Sequence, residues 1–329
     1  MKSDARLTRA TLLLFAGAVG GLFGVLFQFR ASSLLGDTSF ASFSHWLFVL
    51  NVLSLPAVIF QTSGNLRVDS ALSSRWFWIC STGACALALC VAVLSAGPSG
   101  LLAAVALMSA VTSIYVGMLQ ARQAYAALIL AAALPMPTRL LVAECLARAD
   151  VAMPFERGVV VSSVVAVAIV LTAWTMVASP KPSSKTPAMG SWRRVLVGGV
   201  SLAVATMVLP FADFEFVRVF AGADAAVSYA KPAFLGRIIF FGGQVYSQAL
   251  VPRLLELRND RGHTRAAIGL VALCVLGTIV LFGATEIAKR YGALNVAGVS
   301  APLLLIACCC HTLFALLFFA LQSAVLSRR

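Results

Sequence analysis

Long runs without a charged residue dominate the chain. No Asp, Glu, Lys or Arg occurs in the segments 10–29, 38–66 and 76–121. A helix needs about 20 apolar residues to cross the hydrocarbon core of a bilayer. The third run is long enough for two such helices, and Gly97-Pro98-Ser99-Gly100 near its middle predicts a turn between them. The pattern therefore predicts several membrane-spanning helices.

The same pattern, followed along the whole chain, predicts an all-α polytopic membrane protein with about ten transmembrane helices. The first span is too long for the apolar core of a typical signal peptide and opens a series of further spans, so we interpret it as a helix of the protein. Pro135-Met136-Pro137 should kink the fifth span, because proline lacks an N–H group. The predicted spans are 9–29, 41–62, 76–96, 101–121, 123–147, 158–178, 194–216, 226–251, 265–287 and 299–326.

Composition supports a membrane protein. The chain is 60% hydrophobic and 11% charged, whereas soluble domains carry about 25% charged residues. A soluble protein with so little charge could not cover its surface. All eight cysteines lie in apolar segments and none forms a CxxC pair. We interpret them as small packing residues, and we expect no metal site and no cofactor.

The net charge of +13 has a simple explanation in the distribution of basic residues. If the loops are assigned alternately to the two sides of the membrane, one side carries sixteen Lys and Arg residues and the other seven. Cytoplasmic loops are the richer in basic residues, so both termini are predicted to be cytoplasmic. Nucleic-acid binding is not expected, because the sequence has no basic helix with interleaved aromatic residues and no zinc-finger spacing.

A polar linker and a weak repeat predict two lobes. Residues 179–194 are rich in Pro, Ser and Lys, which is typical of a linker. They separate a six-helix lobe (1–178) from a four-helix lobe (195–329). At an offset of 186, Leu35–Phe43 aligns with Ala221–Tyr229, each segment following one span and opening the next. A complete second copy would run to about residue 364, so the second lobe is expected to lack two helices.

Three motifs resemble the polysaccharide-transporter branch of the multidrug/oligosaccharidyl-lipid/polysaccharide exporter superfamily, which includes the O-antigen flippases. Leu34-Leu35-Gly36-Asp37, followed by Phe40, is similar to the motif after the first helix of that family. Asp213, followed by Gly222-Ala223-Asp224 and Tyr229, is similar to its seventh-helix motif. Gln248–Leu254, which reads QALVPRL, resembles the string that often ends its eighth helix.

The resemblance implies a MATE-like transporter that flips a polyprenyl-diphosphate-linked glycan across the bacterial cytoplasmic membrane by alternating access. Its partners would be that lipid-linked substrate, membrane lipids, and a glycan polymerase or glycosyltransferases. Two alternatives remain open. The first is an ion-coupled exporter of small molecules, either drugs or metabolites. The second is a non-transporting membrane component of a polysaccharide assembly complex.

Ionisable residues within predicted spans are candidates for function, because burying them in a membrane is costly. Arg139 follows the two prolines of the fifth span, and Glu144 lies five residues further on. A guanidinium group binds phosphate through two parallel hydrogen bonds, so Arg139 could meet a substrate phosphate. It could equally form a structural pair with Glu144 or with a neighbouring carbonyl. Glu144 is also a candidate for ion coupling.

A charged cluster is predicted at the end of the seventh span. Asp213 or Glu215 could take up a proton or a cation in a coupled transport cycle. Glu215 and Arg218 are three residues apart, so they can face each other on a helix. The alternative interpretation is a salt-bridge cluster at the membrane interface.

The eighth span has a polar side that could line a substrate cavity. Arg237 is its deeper cation, and Lys231 is expected to reach the interface along its alkyl chain. Gln244 and Gln248 continue this side. Arg30, at the end of the first span, could attract an anionic headgroup from the outer side or could cap the helix.

No enzyme signature is present, so no catalytic residue is predicted. The sequence has no P-loop, GxSxG or HExxH motif and no predicted loop longer than about 16 residues. His45 and His311 lie in or near spans. A lone membrane histidine is more often hydrogen-bonded to a carbonyl than part of a proton relay, and we expect the former for both.

Overall fold

The computed structural model describes residues 2–55, 97–121, 124–176, 201–256, 260–291 and 299–327. These residues form helices joined by short turns, and no strand occurs among them. The chain is therefore all-α over its described part. Within the described ranges the helices include α1 (Lys2–Leu34), α2 (Asp37–Leu53), α3 (Pro98–Ala121), α4 (Tyr125–Ala133), α5 (Pro135–Arg148), α6 (Pro154–Met176), α7 (Leu209–Phe220), α8 (Ala223–Glu256), α9 (Asp260–Tyr291) and α10 (Ala301–Ser327).

Several of these helices can cross a membrane. Within the described ranges, five stretches are long and apolar enough, and Val19–Leu34 is a shorter apolar helix. On α9, Ile268 and Ile279 are both 63% exposed, which is expected of a lipid-facing surface. The protein is thus a helical membrane protein. The five stretches are Pro98–Gln120, Tyr125–Arg148, Pro154–Met176, Thr264–Ile287 and Ala301–Ala324.

The full count of about ten spans stays a prediction. The third predicted span, 76–96, lies outside the described residues. The predicted distortion of the fifth span is confirmed, since α4 ends at Ala133 and α5 begins at Pro135. Another break occurs within the predicted seventh span, where residues 201–207 are helical and α7 begins beside Pro210. Proline accounts for both breaks, because its ring and missing N–H disfavour a continuous helix.

The chain divides into two compact units. The first contains residues 1–27 and 49–200, and the second contains 28–48 and 201–329. Residues 28–48 thus belong to the second unit, although they precede most of the first unit in sequence. The predicted linker, 179–194, lies outside the described residues, and the predicted two-lobe boundaries stay a prediction.

The core of the first unit lies between α3, α4 and α6. Tyr115 on α3 is fully buried and packs edge-on against Trp174 of α6, with 5.9 Å between the ring centroids. Leu128 of α4 and Val170 of α6 complete the same cluster. α5 packs along α6, so α6 connects the core to the segment that carries Arg139.

In the second unit, α8 packs against α7, α9 and α10. Glycines allow its closest contacts. A Cβ atom at Gly243 would lie 2.7 Å from the Cβ of Ala315, so α8 and α10 pack closely there. Phe240 of α8 and Phe318 of α10 are fully buried and meet edge-on. This helix pair forms one wall of the polar cluster described next.

Candidate functional site

Arg139 lies where α5 and α6 pack closely against each other. A Cβ atom at Gly158 would lie 2.9 Å from the carbonyl oxygen of Arg139 and 3.0 Å from the Cβ of Ala143. Glycine at position 158 therefore allows the two helices to touch at this level. Ser162 lies one turn further along the same face of α6, within reach of the arginine side chain.

The Arg139 guanidinium has two neutral neighbours. Its Nε donates a hydrogen bond to Ser162 Oγ at 3.1 Å, and its Cζ lies 5.6 Å from the centroid of the Phe27 ring. Among the described residues, no carboxylate lies within ion-pair distance of Arg139, and its other nitrogens have no hydrogen-bond partner. Glu144, the acid predicted as an alternative partner, instead accepts from Arg148 through Oε1 at 3.4 Å.

Arg237 is the most deeply buried cation in the described part of the second unit, with 1% of its surface exposed. Its Nε donates to the carbonyl oxygen of Pro210 at 2.8 Å, and its Cζ lies 4.0 Å from the centroid of the Phe211 ring. One terminal nitrogen makes a longer hydrogen bond, 3.4 Å, to Gln28 Oε1. The other, Nη2, is buried and has no partner among the described residues.

Asp213 places a negative charge beside this arginine. Tyr229 of α8 donates its hydroxyl to Asp213 Oδ2 at 2.8 Å, and His311 Nδ1 of α10 lies 3.6 Å from the same oxygen. The other carboxylate oxygen, Oδ1, is buried without a partner among the described residues. Asp213, Tyr229, Arg237 and His311, together with the carbonyl of Pro210, are called the buried cluster below.

Gly236 explains how His311 enters the buried cluster. A Cβ atom at position 236 would lie 2.7 Å from His311 Nδ1 and 2.9 Å from the carbonyl oxygen of Ala307. Any larger residue there would displace the ring. His311 itself is completely buried. The glycine that precedes Arg237 in sequence therefore positions the histidine of the opposite helix.

Glu215 belongs to a separate cluster nearer the end of α7. Its two oxygens bind different partners: His45 Nδ1 lies 2.8 Å from Oε1, and Arg218 Nε donates to Oε2 at 2.7 Å. The predicted pairing of Glu215 with Arg218 is confirmed. Both partners are more than one-third exposed, and Phe220 beside them is 74% exposed. This arrangement fits the predicted salt-bridge cluster for Glu215 and Arg218, but Asp213 lies in the buried cluster instead. The carbonyl partner expected for His45 is wrong, because its ring contacts the Glu215 carboxylate.

The remaining candidate residues are dispersed. Lys231 is buried along its alkyl chain and its amine lies 2.6 Å from Asp37, which is more than half exposed. Arg30 is half-buried near the end of α1. Gln244 is half-buried on α8, and the side chain of Gln248 lies outside the described residues. The structure therefore groups Asp213 with Arg237, and it leaves these residues outside that group.

Comparison with protein-family models, with curated proteins and with solved structures gives no match for this chain. The family resemblance therefore stays a prediction. The first unit contains the guanidinium of Arg139, which has no counter-charge beside it among the described residues. The second unit contains a buried acid, base and cation, namely Asp213, His311 and Arg237. The first arrangement can bind an anion, and the second can hold a proton.

Sequence reasoning missed two members of the buried cluster. In the sequence, Tyr229 was noted only as a position of the repeat and of a motif, and His311 was predicted to bond a backbone carbonyl. The carbonyl contact is confirmed, since His311 Nδ1 lies 2.9 Å from the Ala307 oxygen. The additional contact with Asp213 joins positions about one hundred residues apart, and no local pattern signals it.

Proposed function

We propose that this protein is a transporter of the bacterial cytoplasmic membrane that moves a polyprenyl-diphosphate-linked oligosaccharide between leaflets by alternating access. Two things support the proposal: the helical membrane architecture and the unpaired charge of Arg139. The motifs that resemble the polysaccharide flippases suggest the glycan and its lipid carrier. In this proposal both termini are cytoplasmic.

The absence of a negative charge among the described neighbours of Arg139 is the observation that supports this proposal most directly. A charged side chain inside a membrane protein is costly unless something compensates it. The neighbours of Arg139 are a hydroxyl and an aromatic ring, and neither bears a negative charge. A phosphate group supplies that charge and accepts several guanidinium hydrogen bonds at once. A substrate with a diphosphate would therefore bind at Arg139 more strongly than a neutral one.

Arg237 has a different part in this proposal. Its neighbours include Asp213, and its surface is almost completely covered by protein. The carboxylate already offsets the arginine charge, so a phosphate would gain less there. Substrate binding is therefore assigned to Arg139, and Arg237 is assigned to the organisation of the second unit.

The test is a flipping assay in proteoliposomes with a fluorescent polyprenyl-diphosphate-linked oligosaccharide. A charge-assisted hydrogen bond contributes about 1.5–3 kcal/mol. We therefore expect R139A to lower the initial flipping rate at limiting substrate by about tenfold or more. R139K should fall between R139A and the parent, because lysine keeps the charge but loses the two-point geometry.

The matched control is R148A. Arg148 lies on the same helix, but its side chain is 79% exposed and pairs with Glu144, so its removal should leave flipping unchanged. Equal flipping by R139A and R148A would contradict the assignment of Arg139. Transport of a water-soluble anion without any movement of the lipid-linked glycan would favour the small-molecule exporter instead.

A further inference from the structure

The His311 ring is surrounded by hydrogen-bond acceptors. Nδ1 lies 2.9 Å from the carbonyl oxygen of Ala307 and 3.6 Å from Asp213 Oδ2. Nε2, on the opposite side of the ring, lies 3.2 Å from the carbonyl oxygen of Pro210. No donor to either ring nitrogen occurs in the described part of the chain. Each nitrogen therefore faces an oxygen.

This arrangement has a consequence for protonation. A neutral imidazole carries one N–H and one lone pair, whereas an imidazolium carries two N–H groups. In the neutral ring one nitrogen donates to its oxygen, and the lone pair of the other nitrogen points at a second oxygen. A proton added to that lone pair finds an acceptor already in place. The site accommodates the added proton without any rearrangement of the backbone.

The groups around the ring act on the added proton in both directions. Asp213 of α7 is the nearest acid, and its second oxygen has no partner among the described residues. Tyr229 of α8 and Cys310 of α10 also lie beside Asp213 and are neutral when protonated. Burial of the ring and the positive charge of Arg237 on α8 both oppose its protonation. On α9, Cys274 lies against Thr312 instead of the ring.

We propose that His311 and Asp213 form a proton-binding site whose occupancy controls transport. Without the added proton, His311 is neutral and the charges of Asp213 and Arg237 offset each other. Uptake of one proton onto the imidazole lone pair gives the buried cluster a net positive charge, and release restores neutrality. No other bond is made or broken in this step.

The link from this proton to the fold runs through the carbonyl of Pro210. This oxygen accepts from Arg237 Nε and faces His311 Nε2, at the point where α7 begins after a helix break. Protonation of Nε2 would add a donor to this oxygen and tighten the contact between α7 and α10. Loss of the proton would weaken it. The coupling to transport rests on the proposed function, whereas the binding of the proton does not.

Proton binding is tested on the whole chain in lipid nanodiscs. The substitutions H45Q and H263Q leave His311 as the single histidine of the sequence, and nitrogen NMR of its ring reports the tautomer and the charge. We expect the ring to change between one and two N–H groups between about pH 5 and about pH 9. In the same background, D213N should move this transition to lower pH, because it removes the compensating charge. A ring in one protonation state throughout that range overturns the proposal.

Control of transport is tested by the pH dependence of flipping in the proteoliposome assay. H311Q keeps a donor and an acceptor but cannot bind the proton, so its flipping rate should vary less with pH than that of the parent. H45Q serves as the control, because His45 lies in the separate cluster at Glu215. Identical pH profiles of H311Q and the parent would overturn the control of transport by His311. If the parent protein does not flip the lipid-linked glycan while His311 titrates, the proposed function fails and the proton site stands.

Discussion

Arg139 and Arg237 are held in the same way but in different electrostatic surroundings. Each donates its Nε to one oxygen and places its guanidinium against a phenylalanine ring. Arg237 has Asp213 and Glu215 among the charges that act on it. Neither arginine has a carboxylate within ion-pair distance in the part of the chain that the structure describes, so the acids that act on Arg237 do so at longer range, and none acts comparably on Arg139. The two arginines thus differ in exposure as well as in electrostatic surroundings, since Arg237 is buried and Arg139 is half-buried.

The difference separates structural burial from binding. A buried cation with its own counter-charge stabilises the fold around it, and removal of one partner leaves the other uncompensated. A half-buried cation without a counter-charge, as at Arg139, stabilises the fold less, and its remaining N–H groups are available to a ligand. R237A should therefore reduce stability more than transport, whereas R139A should reduce transport more than stability.

The largest effect on stability is expected for R237A. The substitution leaves the charge of Asp213 buried without the nearby cation and removes the Arg237 donor from the Pro210 carbonyl, at a cost of about 3–5 kcal/mol. The measurement is the free energy of unfolding in detergent micelles. In a double-mutant cycle, addition of D213N to R237A should recover part of the loss, with a coupling of about 1–3 kcal/mol. Additive effects would show that the two charges do not interact.

R139A should cost much less stability than R237A. It removes one hydrogen bond to Ser162 and one contact with the Phe27 ring, and it also removes an uncompensated charge. We expect a loss of about 1 kcal/mol in the same unfolding measurement. S162A serves as a comparison because it removes the same hydrogen bond and keeps the charge. A loss as large for R139A as for R237A would contradict the distinction between the two arginines.

The smallest effect is expected for R218A. Its side chain is 40% exposed, so solvent screens its pair with Glu215, and such pairs contribute below about 1 kcal/mol. His45 also remains bound to Glu215 in this variant. The effect should shrink further as the salt concentration rises. A loss that exceeds that of R139A would show that the cluster at the end of α7 stabilises the fold.

The fold class followed from the sequence because membrane helices are encoded locally. Twenty apolar residues without charge specify a span, and proline specifies a break, as at Pro135. The pairing of Glu215 with Arg218 was also predictable, since it depends on helix spacing alone. In each case the information lies within a few residues of the feature.

The buried cluster was only partly predictable because it depends on contacts between distant segments. Asp213 and Arg237 were candidates by their charge, but Arg237 and His311 share a backbone carbonyl, that of Pro210, and a backbone carbonyl leaves no trace in composition. The place of His311 depends on a glycine of another helix, Gly236. Ser162 as the partner of Arg139 depends similarly on Gly158. Glycine spacing on facing helices is the sequence signal that such sites share.

The close approach of α8 and α10 limits how the second unit can move. At Gly236 and again at Gly243, there is no space for even one methyl group between the two helices. Sliding of one helix along the other would drive the backbone of Ala307 or the side chain of Ala315 into the opposite helix. We therefore expect α8 and α10 to turn or tilt together as one rigid unit. A hinge for this unit has to lie elsewhere, and the helix break before α7 is a position where the backbone can bend.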